Sequence, residues 1–125
     1  MVEPLSDRLN FVLDRFEANV PHVEATAIFN TDGLVIASRL PSDVDEERIG
    51  AMSAAILSIS NRSIDELSRG TMKQILVEGN DGSLLIRHVG EDAVLVSMVG
   101  SEIKLGMLFY ECTRCVKKIG EIFDS

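Results

Sequence analysis

Nowhere in this 125-residue chain is there an uncharged apolar run approaching the roughly 20 residues needed to span a membrane. The best candidates, near Leu84 and Ala93, are only strand length. The opening "MVEPLSDR" has neither the basic start nor the apolar run of a signal peptide. Together these absences predict a cytoplasmic protein without membrane insertion. Basic residues are scarce: 12 Lys and Arg stand against 20 Asp and Glu, for a net charge of −8. Nucleic acid needs a basic footprint. The densest basic spot, "RCVKK" at 114–118, is more simply read as lysines matching the dipole of a C-terminal helix. The same charge disfavours an anionic membrane surface. Two cysteines, Cys112 and Cys115, are too few for a disulfide framework. Their C-x-x-C spacing matches half of a zinc site, but neither His22 nor His88 supplies the second pair of ligands. Residues three apart on a helix also share a face, so two small hydrophobes packing inward is the simpler reading. A redox or metal role is the alternative.

Catalytic signatures are missing as well. The chain has no G-x-x-x-x-G-K-[ST] phosphate loop and no G-x-G-x-x-G. His22 lies in a connector after Pro21 and His88 in a strand, neither with a Ser or Cys partner in a known signature. The acids of Asp45-Glu46-Glu47 suit a helix start rather than a general acid/base pair. "IFNTDGLVIASR", at 28–39, resembles the start of a calcium loop. With Gly33 sixth, Asn30 and Asp32 fall on ligand positions, but Ile28 comes first and Arg39 twelfth, where carboxylates are needed. "GNDG" fails in the same way, with Val77 first and His88 last. Asp32-Gly33 and Asp81-Gly82 instead predict two-residue hairpin turns. No enzyme, cofactor or metal site is expected.

Hydrophobic residues at 46% and charged residues at 26% fit a globular protein, and the length fits a single domain over 5–123. A helix from Leu5 to Val20 follows from the spacing of Leu5, Leu9, Val12, Leu13, Phe16 and Val20, with Ser6 or Asp7 as its cap. "VEATAIF" and "GLVIASR" predict two strands. In the second, apolar side chains point both ways, which requires cover on both faces. Ser42 and Asp45 loosely fit a capping box opening a helix to about Ser68, closed by Gly70. Its main apolar stripe is Ile49, Met52, Ile56, Ile59 and Leu67. A second stripe of small or mixed residues comprises Gly50, Ala54, Leu57, Asn61 and Ile64. Ala51 to Ser60 carries no charge, so contact on more than one side is expected. "MKQILVEG", "SLLIRHV" and "AVLVSMV" form a strand meander. The last helix, about Leu105 to Phe123, presents Leu108, Cys112, Cys115, Ile119 and Ile122. The fold expected is α+β, in the order α-β-β-α-β-β-β-α, a five-stranded antiparallel sheet with helices on both faces.

The run "VEATAIFNTDGLVIASRLPSDVDEERIGAMSAAILSISNRSIDEL", with the later "VEGNDGSLLIRHVGEDAVLVSMV" and "KLGMLFYE", resembles the Roadblock/LC7 (dynein light chain) family over nearly the whole chain. Its acidic "SDVDEE" departs from the family pattern. The resemblance implies a profilin-like fold and a non-catalytic homodimer, with middle helices side by side and third strands paired edge to edge. It also implies a scaffold or regulator of a Ras-like small GTPase, or an adaptor light chain of a larger complex. The residues expected at the dimer or partner interface are Ser53, Ala54, Leu57, Asn61, Ile64, Ile75 and Val77. A small-ligand sensor of the PAS or GAF kind is the rival from another class. Only six aromatics and no polar cluster to orient a ligand count against it.

Overall fold

The apolar spacing near the start winds into helix α1 (Leu5–Asn19), which buries Leu9, Leu13 and Phe16. Its N-cap is Pro4, with no side-chain cap, so neither Ser6 nor Asp7 takes the expected role. Pro4 has no N–H to satisfy and its carbonyl accepts from the Asp7 and Arg8 amides, which suffices to start the helix. The structure, a computed structural model, describes residues 3–124.

Strands β1 (Val23–Asn30) and β2 (Val35–Arg39) form the first hairpin, and helix α2 (Glu46–Glu66) follows. Strands β3 (Gln74–Gly79), β4 (Gly82–Val89) and β5 (Ala93–Gly100) make the meander, and helix α3 (Leu105–Asp124) closes the order. All pairings are antiparallel, in the order β2-β1-β5-β4-β3. The expected fold class is therefore the observed one. The last strand lies in the middle, with β1 and β4 on either side.

Both hairpin turns differ from expectation. Four residues, Thr31 to Leu34, link β1 to β2, because the Asn30 carboxamide accepts from the Asp32 and Leu34 amides at 2.9 Å each and holds a wider turn. That carboxamide, at the third position of the rejected calcium loop, is thus committed to its own backbone. Gly33 has the left-handed φ of 90°, whereas Asp32 does not. The second turn is Asn80-Asp81, with Gly79 and Gly82 paired across it, so Asp81 needs no positive φ.

Two cores flank the sheet. Helices α1 and α3 cover one face over Ile28, Leu85, Leu95 and Val99, while α2 lies over Ala27, Phe29, Ile86, Val94 and Val96 on the other. Glu17 of α1 fastens the first layer. It accepts from the Thr26 hydroxyl at 2.8 Å and from the Arg39 guanidinium at 2.7 Å, and Arg39 also reaches Asp14 at 3.0 Å. Among the described residues, no helix is long and apolar enough to cross a membrane.

Candidate interaction surface

Helix α2 starts at Asp45 itself, whose carboxylate accepts from the Glu47 and Arg48 amides at 3.1 and 3.3 Å. Asp45 is therefore the N-cap, and the Ser42-Asp45 capping box does not form. An Asp at this position also suits the positive end of the helix. The helix ends at Glu66, two residues before the expected Ser68. Ser68, with φ 53°, makes the left-handed turn there, ahead of Gly70.

One absent side chain sets how α2 sits. A Cβ on Gly50 would lie 2.1 Å from the Gly33 carbonyl oxygen and 2.9 Å from the Phe29 ring. Backbone thus packs against backbone where the helix crosses the β1–β2 turn. From that contact, Gly50, Ser53 and Leu57 face inward and are buried, and Ile49, Ile56 and Ile64 pack beside them. The expected main stripe splits as a result: Met52 is 50% exposed, Ile59 66% and Leu67 64%. Met52 and Ile59, together with Ala51, Ala55 and Ser58, make an uncharged outer face.

The seven residues expected at the interface therefore fall into two groups. Ser53 and Leu57, at 1% and 3% exposure, are turned to the chain's own sheet and out of a partner's reach. Ala54, Asn61, Ile64 and Ile75 are half-buried along the flank of α2 and on β3. Val77 is 46% exposed on the edge strand. A cleft of about 380 Å³ opens there, lined by Ile49, Val77, Leu84 and Met98, where α2 leaves the β3–β4 side of the sheet uncovered. Met52 and Ile59, members of the expected main stripe, face outward instead. Only the glycine at position 50 hinted otherwise.

The ligand-sensor reading would need space between helix and sheet. Under α2 that layer is filled by Phe29, Leu57, Met72, Ile86, Val94 and Val96. Cys112 and Cys115 are both buried in the α1/α3 layer, as the packing reading held. Burial pushes the Cys112 thiol up to about 11, against the pull of Arg87, and the Cys115 thiol up to about 12. Such thiols stay protonated and unreactive at neutral pH. Iodoacetamide should leave both unlabelled in the folded protein and label both in denaturant; fast labelling of the native state would refute this. An unfolded thiol ionises near 8.5, so above that pH the unfolded chain releases protons the folded one keeps. Stability is unaffected by these thiols below about pH 8 and falls as pH rises towards their folded values. His22 is exposed, 3.8 Å from Glu102, and His88 lies half-buried on β4 with Nδ1 unpartnered among the described residues.

The Roadblock/LC7 domain profile matches residues 9–98. The protein MJ0714 of Methanocaldococcus jannaschii is 33% identical over 123 residues, which is 98% of this chain and 100% of that one. Among solved structures, a Roadblock/LC7 domain from Streptomyces avermitilis superposes with a TM-score of 0.85 at 21% identity, covering 92% of this chain and 97% of the other. An MglB solved in a tetrameric arrangement gives a TM-score of 0.88 at 16% identity, covering 98% and 92%.

Proposed function

Because the chain belongs to the Roadblock/LC7 domain family, we propose that it is a non-catalytic homodimeric interaction module that scaffolds or regulates a Ras-like small GTPase. The outer face of α2 carries this reading. Met52, Ala55 and Ile59 form an exposed, uncharged surface on a protein with net charge −8, and a patch of that kind is a binding surface in waiting. A twofold copy would lay its own α2 along this face, and symmetric pairing is the commonest way proteins close such patches. The β3 edge beside it, with Ile75 and Val77, supports the same arrangement. Pairing two β3 strands would satisfy an open row of backbone groups. That an MglB of this fold was solved in a tetrameric arrangement supports the same reading. Ala54, Asn61 and Ile64 then flank the contact, and Met52, Ala55 and Ile59 join it in place of the buried Ser53 and Leu57.

Light scattering at micromolar concentration should give twice the chain mass, and a folded monomer would end the dimer reading. For the partner, immobilised protein is exposed to lysate of the source organism loaded with GTP or GDP, and captured proteins are identified by mass spectrometry. A Ras-like GTPase retained in one nucleotide state is the expected result. None retained in either state would overturn the partner assignment.

A further inference from the structure

The edge opposite β3 has its own character. Among the described residues, strand β2 pairs only with β1, so alternate residues from Val35 to Arg39 present unpaired backbone groups outward. Beside its start, the β1–β2 turn and the first turns of α2 enclose a cleft of about 540 Å³, lined by Asp32, Leu34, Val35, Glu46, Glu47 and Ala51. Leu34 is 66% exposed and Val35 37%, the former as open as any large apolar side chain on the protein. Three carboxylates and no basic side chain line the cleft. At the far end of β2 the Arg39 guanidinium is already held by Asp14 and Glu17. The site thus combines an open strand edge, an apolar step and uncompensated negative charge.

We propose that the β2 edge is a docking site for an extended segment of a partner protein in which Lys or Arg alternates with apolar residues. Such a segment adds a sixth strand beside β2. Its side chains on one face then reach the cleft, with apolar groups on Leu34 and Val35 and cations against Asp32, Glu46 and Glu47. Backbone pairing supplies the affinity, while the carboxylates select the sign of the partner and speed its arrival. A second copy of this chain does not fit. Its β3 edge strand, "QILVEG", carries an acid and no base, and the one base of β2 is Arg39. The strand edge itself stands apart from the proposed dimer contact, because β2 and β3 are opposite edges of the sheet, and of the cleft residues named Ala51 alone also belongs to the outer face of α2.

The test uses the full chain and fluorescein-labelled synthetic peptides read by anisotropy at low salt. One peptide alternates Lys with Val, a second replaces every Lys by Glu, and a third replaces alternate Val by Pro so that it cannot pair as a strand. The Lys-Val peptide should bind, weaken with added salt, and protect the amides of residues 35–39 from hydrogen exchange. The Glu46→Gln/Glu47→Gln variant and Leu34→Ser, each checked for native circular dichroism, should weaken it by about tenfold. Tyr110→Ser on α3, exposed and outside the cleft, should leave it unchanged. Equal binding of the Glu peptide, or full binding by both β2-side variants, would overturn the proposal. So would undiminished binding of the Pro peptide, which would reduce the site to loose charge attraction. Association of the chain with itself that Leu34→Ser abolishes would also overturn it, since the occupant would then be a second copy.

Discussion

Gly50→Ala destabilises the protein by about 3 kcal/mol, although the same change in an ordinary exposed helix position stabilises by about 1 kcal/mol. The reversal of sign comes from one contact. The added methyl would sit 2.1 Å from the Gly33 oxygen, well inside van der Waals distance, and 2.9 Å from two atoms of the Phe29 ring. Neither neighbour yields easily. Gly33 belongs to a turn held by the hydrogen bond its N–H donates to the Asn30 carbonyl at 3.0 Å, and Phe29 is fully buried. Helix α2 has to lift away, thinning its contact with Ala27, Val94 and Val96 beneath. Urea denaturation of both proteins reads the difference directly. A Gly50→Ala variant as stable as the parent, or more so, would mean that α2 does not sit on the turn in this way.

A carboxylate at position 57 and one at position 59 should have different consequences, although the residues are two apart on one helix. Leu57→Asp unfolds the chain. It removes a buried side chain that contributes about 2 kcal/mol and places an unpaired charge among Phe29, Met72, Ile86 and Val96, which costs several kcal/mol more. The sum approaches the whole stability of a domain, about 5–15 kcal/mol. Ile59→Asp leaves the fold intact, because Ile59 is 66% exposed, yet it places like charges across the proposed twofold contact. Circular dichroism with light scattering separates the two: unfolded for the first, folded and monomeric for the second. A folded Leu57→Asp dimer would contradict the burial described above. A dimeric Ile59→Asp would move the contact off this face.

Helices α1 and α3 were legible in the sequence because their apolar residues recur on a single face, with charges on the other. Leu9, Leu13 and Phe16, like Leu108, Cys112, Cys115 and Ile119, left one side only for the sheet. In α2 the same method misleads. Between Ala51 and Ser60 apolar or small residues run all the way round, so periodicity finds two stripes and prefers the bulkier. What decides is the close approach at Gly50, which brings the smaller residues inward and leaves Met52 and Ile59 outside. An interface defined by side chains left over after folding can be read only once it is known which ones the fold uses. The turns were placed to within a residue or two. Their form depended on a side chain, Asn30, whose bonding to its own backbone has no spacing signature. The pairing of β1 with β5 also lay beyond local pattern, since partners such as Val23 and Val99 are far apart in sequence.

The position of β5 bears on how this protein is made. Strand β1 leaves the ribosome with β2 as its neighbour, but its other edge waits for residues about 70 positions later. At 5–20 residues per second, that wait is roughly 4–14 s. Throughout it, Ala27, Ile28 and Phe29 lack their β5 partners Val96, Leu95 and Val94, although α1 and, later, α2 are already made. Once Ala93 to Gly100 emerges, it joins the β1–β2 hairpin to the β3–β4 hairpin, so the middle of the sheet is the last part to close. A nascent chain stopped short of that strand leaves the inner edges, β1 and β4, without their partner, which makes the synthesis of residues 30–92 the interval in which a chaperone has most to protect.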